Sequence, residues 1–440
     1  MTFSWPPAIP AAGRWRIVRA RAPATLLAGE RVPADREGLA DIDLLVEGEQ
    51  IAAISPADGE GLDDLPTVDL DRGLVLPCFA DVHTHLDKGH IWARRPNPDG
   101  SWGAALVNAG ADREALWSAE DLRRRMDFAL RCAYAHGTSA IRTHLDSIGK
   151  QVGISWPVFA QVREAWRGRV ELEAAPLFLV EQGLDDRLFD SVLEAVRETR
   201  GTLLGAVTVP GPALQPGLDR IFCAASERGL DLDFHVDETH DPDSRSLRTI
   251  AETAMRYRFG GKILAGHCCS LAQQDESEAD RTMDLVAEAG LGIVSLPMCN
   301  LYLQDRGGTP RWRGVTLLHE LAARGVPVMV ASDNTRDPFY AYGDLDMVEV
   351  LREAVRILHL DAPFGDWPAA LTRTPAAWMG FSGGMLGAGR TADLVLFRAR
   401  TLNELLARPQ ADRVVLRAGS VLAAAPPDYR ELDDLMGEAA

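Results

Sequence analysis

Lysine is almost missing from this 440-residue chain: Lys88, Lys150 and Lys262 stand alone among 46 basic side chains. Set against 64 acidic residues, that leaves a formal net charge of −18 and a pI near 5.0. The surplus of basic groups that a phosphate-backbone binder needs is lacking. The same deficit disfavours an anionic membrane surface. Long apolar runs are lacking too, and nothing approaches the roughly 20 residues of a membrane span. The first 22 residues carry three prolines by position 10 and no continuous apolar segment of the secretory kind. Six cysteines (Cys78, Cys132, Cys223, Cys268, Cys269, Cys299) show no C-x-x-C spacing and read as buried free thiols in a reducing compartment. These absences make the cytoplasm the expected location. They leave a small neutral or cationic molecule as the expected partner, with no nucleic acid and no membrane.

What is present is an ordinary globular composition, 46% hydrophobic and 25% charged. Residues 14–76 read as short strands broken by Gly, Asp and Pro: Trp15–Val18, Ile42–Val46, Gln50–Ile54 and Gly73–Leu76. The tail repeats that texture at Ala392–Phe397 and Arg413–Gly419. Both ends are therefore expected to pair into one small β-sandwich, residues 1–76 with 371–440. Between them, over 77–370, short apolar runs alternate with amphipathic stretches such as Ala119–Ala135, Leu184–Thr199 and Ser244–Tyr257. Strands are predicted at 79–85, 138–145, 170–180, 202–210, 231–237, 262–267, 292–297 and 326–332. Eight such strand–helix units predict an α/β fold of the (β/α)8 TIM-barrel kind, whose chemistry sits at the C-terminal strand ends.

Seven of the eight runs end in polar residues. The first ends in His83-Thr84-His85, and a period of two points both imidazoles to one face, where they can share a divalent cation. Further on come Arg142-Thr143-His144, Glu181-Gln182-Gly183, His235-Val236-Asp237-Glu238, Gly266-His267, Cys299-Asn300 and Asp333-Asn334. Two-metal barrel hydrolases bridge their ions with a carbamylated lysine at the end of the fourth or, at times, the third strand. Neither strand has a lysine, so a single ion held by His83, His85, His235 and Asp333 is expected. Water near such an ion ionises close to neutral pH. Asp333 can take its proton, His267 can orient the nucleophile, and Glu238 can be swung over the metal as a proton carrier. The matching chemistry is hydrolytic attack on a ring carbon with loss of an amine.

In these segments the chain resembles the cytosine deaminase branch of the amidohydrolase superfamily. The resemblance extends to Asp81–Asp87, Asn300–Arg306 and Asp337-Pro338-Phe339-Tyr340. It implies one zinc or iron on His83, His85, His235 and Asp333, with Glu238 as proton shuttle and His267 beside the nucleophile. It also draws attention to Gln304, Asn334 and Phe339 as substrate contacts. Cytosine-directed members resemble Gln-Glu-Gly where this chain has Glu181-Gln182-Gly183. Anchored on the glycine, the reading residue becomes Glu181; a one-residue slip would restore Gln182. A carboxylate only accepts hydrogen bonds, so Glu181 predicts a ring other than plain cytosine: isocytosine, 5-methylcytosine, a pterin or another aminated heterocycle. Release of an alkylamine from a triazine-type ring is the alternative, and a silent metal-binding scaffold a more distant one. Base-flipping deamination lacks both its cationic groove and its P-C-x-x-C signature. Trp92 and Trp102 are candidates to cover the ring, His144 to support the ligands, and His90 and His240 are expected to be exposed. A homo-oligomer is expected.

Overall fold

The computed structural model describes residues 5–11, 13–29, 31–57 and 65–437. The chain divides into two compact units: Met1–Asp81 with Cys132–Ala140 and Asp346–Pro426, and Val82–Arg131 with Ile141–Leu345 and Pro427–Ala440.

The first unit holds two four-stranded sheets. One has the order Gln50–Pro56, Leu39–Glu47, Arg14–Pro23, Thr67–Asp69; the other Ser420–Val421, Val414–Arg417, Leu394–Leu396, Val75–Pro77. Buried and exposed positions alternate along Leu39–Glu47, as a strand with one covered face requires. Trp15, Ile17, Ile42, Leu44 and Val46 of one sheet share a buried cluster with Val75, Leu394, Leu396 and Leu416 of the other. Antiparallel pairing sets Leu394 opposite Pro77 and Leu396 opposite Val75.

Eight further strands are Phe79–Thr84, Thr138–Asp146, Glu171–Leu177, Leu203–Thr208, Asp231–Val236, Ile263–His267, Gly292–Ser295 and Val328–Val330, the last five paired in parallel. The first three form one sheet and the last five another. Single parallel bridges, Leu179 to Val207 and Thr84 to Asp333, join their edges. Every residue of Phe79–Thr84 and Ile263–His267 is buried, as expected of parallel strands covered on both faces. Several strands stop short of the predicted bounds, and the third stops three residues early, at Leu177. The amphipathic helix predicted at Ala119–Ala135 occupies that span, with Asp185 capping Asp186–Glu198 through Leu188 N–H. Among the described residues no helix is long and apolar enough to cross a membrane. Five cysteines are buried as expected, but Cys223 is exposed on the outer face of Leu214–Arg228.

Candidate metal and substrate site

The alternation of the first strand sends His83 and His85 to one side, and His235 arrives from the fifth. His235 Nε2 lies 3.1 Å from His83 Nε2 and 3.2 Å from His85 Nε2. Asp333 Oδ1 lies 3.5 Å from His83 Nε2 and 3.2 Å from His85 Nε2. Four donors that share one ion at about 2.0–2.1 Å stand roughly 3 Å apart, so this spacing fits a single divalent cation. Both Asp333 carboxylate oxygens are buried without a hydrogen-bond partner, the orphaned acceptors that a cation would satisfy. All four side chains are buried. Burial above all, with the neighbouring imidazoles, holds His83 and His235 well below the usual range; burial and Lys88 do the same for His85. Neutral imidazole is the form that ligates. Burial pushes Asp333 up, but His85 and His267 outweigh it and keep the carboxylate ionised.

Close packing permits this convergence. A Cβ on Gly266 would meet His83 Cε1 at 2.9 Å, so glycine there lets the sixth strand pass directly beneath the imidazole. His144 packs its ring 4.2 Å from that of His83 and bonds Asp233 at 2.9 Å through Nε2. Asp233 also receives Arg142 at 2.8 Å, and Arg142 reaches Glu173 at 2.6 Å. This buried network packs His144 against the cluster.

Around the donors, Glu238 and His267 are brought in as well. Asp237 anchors their approach, accepting from Ser244 Oγ and from the Ser246 and Leu247 N–H groups. Glu238 Oε1 accepts from Asn300 Nδ2 at 3.1 Å and Oε2 from Trp102 Nε1 at 3.0 Å. Burial raises the Glu238 carboxyl, against the pull of His267. Asn300 Nδ2 also donates to His267 Nδ1 at 2.9 Å. That makes Nδ1 the acceptor and leaves Nε2, which has no partner, as the ring's N–H.

A cavity of about 260 Å³ opens on these groups, walled by Lys88, Trp102, Leu106, Phe178, Gln182, Asn334 and Phe339 among others. Asn334 and Phe339 line this cavity. Gln304 does not: it is buried behind Glu238, whose carbonyl oxygen it meets at 3.4 Å, and lines a neighbouring cavity. Glu181 is a correction. The third strand ends at Leu177, the chain turns into a short helix at Gln182–Leu184, and Glu181 faces solvent. Alternation no longer holds there, and Gln182 takes the wall. Its Oε1 accepts from Leu179 N–H at 2.9 Å, leaving the NH2 group as the donor on offer. His90 is a second correction: it is buried against Phe128, ring centroids 4.9 Å apart, while His240 is exposed. The sequence also gave no sign of Lys88 and Arg113 closing on Asp146 at 2.9 and 2.8 Å along the cavity wall.

The amidohydrolase family profile matches residues 167–424. The chain is 55% identical to a pterin deaminase of Rhizobium rhizogenes, covering 97% of this chain and 98% of that one. It is 23% identical to an N-isopropylammelide isopropyl amidohydrolase of Pseudomonas, over 64% of this chain and 68% of that one. A crystal structure of 5-methylcytosine deaminase from Klebsiella pneumoniae with 5-fluorocytosine superposes with a TM-score of 0.79 at 22% identity, covering 94% and 98% of the two chains. The chain belongs to the amidohydrolase family.

Proposed function

We propose that this protein is a metal-dependent hydrolytic deaminase acting on a pterin, the 2-amino-4-oxopteridine ring. One observation carries the reading: four converging donors, a buried carboxyl and an unpartnered imidazole N–H meet at one small cavity. The 55% identity to a pterin deaminase selects the ring among those the site could take. A cavity of about 260 Å³ is below the usual range for drug-sized ligands and suits one flat bicycle. The fold that goes with this reading is a (β/α)8 barrel, its ring closed at Leu179–Val207 and Thr84–Asp333, with the first unit's sheets as a small β-sandwich.

His83, His85, His235 and Asp333 would hold the one ion, zinc or iron. When bound, it supplies a Lewis acid that makes water nucleophilic near neutral pH. The chain's own groups do the rest. Asp333, ionised, accepts a proton from the attacking water. The His267 Nε2–H donates to the oxygen as it acquires charge. Glu238, its carboxyl raised by burial, carries a proton to the ring nitrogen beside C2 and then to the departing amine. The Gln182 NH2 group offers a donor to a ring carbonyl or nitrogen, orienting C2 towards the water. A C2–O bond forms and the C2–N bond to the amine breaks, giving 2,4-dioxopteridine and ammonia.

The test is an ammonia assay on purified, metal-replete protein with pterin, isocytosine, 5-methylcytosine, cytosine and an N-alkylated triazine. Turnover of pterin above the others is expected. Alkylamine release from the triazine with no ammonia from pterin would overturn the reading.

A further inference from the structure

We infer that Trp102 is a positioning residue for the proton carrier, its indole N–H fixing the Glu238 carboxyl over the cavity. The inference rests on the role given to Glu238 above. Glu238 lies just past the fifth strand, where its backbone is secured through Asp237 but its side chain is long and rotatable. Both carboxyl oxygens are nonetheless gripped, Oε1 by Asn300 and Oε2 by Trp102, from segments remote in sequence. The grip matters because there is somewhere else to go. Glu238 and Trp102 both line the catalytic cavity of about 260 Å³ and a neighbouring open one of about 720 Å³. Released from the indole, the carboxyl has room to turn away from the substrate.

The placement of Trp102 is itself built. Asn97 Nδ2 donates to the Ser101 carbonyl at 3.0 Å and to the Pro338 carbonyl at 2.9 Å, tying the loop before Trp102 to the segment that carries Phe339. Asn97 Oδ1 accepts from Gly100 N–H at 2.9 Å, and Gly100 has the left-handed φ of +73° that glycine adopts freely. Ser101 then caps the helix Trp102–Leu116 by accepting from Ala104 N–H. The same helix sends Leu106, Ala109, Gly110 and Arg113 to the cavity wall. One rigid element thus shapes the pocket and holds the acid.

The experiment is a double-mutant cycle on the metal-loaded enzyme, with metal content measured alongside. Trp102→Phe keeps the ring and removes the N–H. It should lower kcat for pterin deamination about 10-fold or more while KM and bound metal stay within about two-fold. In a Glu238→Gln background, which already lacks the acid, single-turnover ammonia release should fall less than about two-fold further. Asn97→Ala, which loosens the loop and leaves the indole intact, should reproduce the selective loss of kcat. An unchanged kcat in Trp102→Phe, a rise in KM alone, or an equal loss in both backgrounds would overturn the inference. A Glu238→Gln enzyme as fast as the wild type would instead remove the role of Glu238, and the inference with it.

Discussion

Asp333 and His83 meet twice. The Asp333 N–H donates to the His83 carbonyl oxygen at 2.9 Å, and Asp333 Oδ1 lies 3.5 Å from His83 Nε2. The parallel bridge at Thr84–Asp333 and the donor cluster thus share this contact. Asp333 has φ +63° and His267 +70°, left-handed backbone at two positions of the candidate site. Such residues cost on the order of 1–3 kcal/mol and persist where the surroundings over-determine them.

Because the backbone half of that contact survives in Asp333→Asn, and asparagine tolerates φ above zero, the variant should keep its circular dichroism spectrum. Bound metal, read by elemental analysis, should fall from one per chain, and ammonia release should be lost. Chelation of the wild type should lower its Tm, since about 2.7 kcal/mol of stabilisation comes from a ligand present at 100 times its Kd.

Gln182→Glu should raise KM for pterin about 10-fold, because a carboxylate cannot supply the donor that the amide offers. Mispairing one buried polar group costs about 1–3 kcal/mol. Glu181→Gln should leave the ranking of substrates untouched, as its side chain faces solvent. Steady-state kinetics on both variants checks the pair.

Asp233→Ala removes the partner shared by Arg142 and His144 and leaves a guanidinium buried with only Glu173. Loss of one member of a buried ionic network costs about 3–5 kcal/mol, which chemical denaturation would register as a lower midpoint.

His90 gives a pH signature. Burial drives its pKa down to about 3, and neither ring nitrogen has a partner. The folded chain keeps it neutral while the unfolded chain takes up a proton below about pH 6.5. Its contribution is therefore fully present above that pH and is lost progressively as pH falls towards 3. His90→Asn, chosen because φ there is +62°, should flatten the fall of stability with acidification, measured by denaturation between pH 6.5 and 4.

The donor cluster was legible because strand periodicity is a local rule: His-x-His predicts one face without any knowledge of the partner strands. Glu238 could be reached from His235 by counting past a strand end. The same rule failed at Glu181, where the strand stopped at Leu177 and the following turn reset which side chain faced inward. Strand ends depend on the neighbours' hydrogen bonds, which local composition does not encode. Trp102 reads from the sequence only as a candidate ring cover, since its contact with Glu238 spans 136 positions and leaves no periodic trace. His90 reads as a surface residue by type, and the packing of Phe128 and Tyr429 against it shows otherwise.

The pairing of Val75–Pro77 with Leu394–Leu396 has a consequence for how the molecule comes into being. Chains leave the ribosome at about 5–20 residues per second, and segments that need distant partners must wait for them. Leu44, Val46 and their neighbours are made long before Leu394, Leu396 and Leu416, which share their buried cluster. Throughout that delay the nascent N-terminal strands carry an uncovered oily face. The parallel strands between them can be finished while the two flanking groups still await each other.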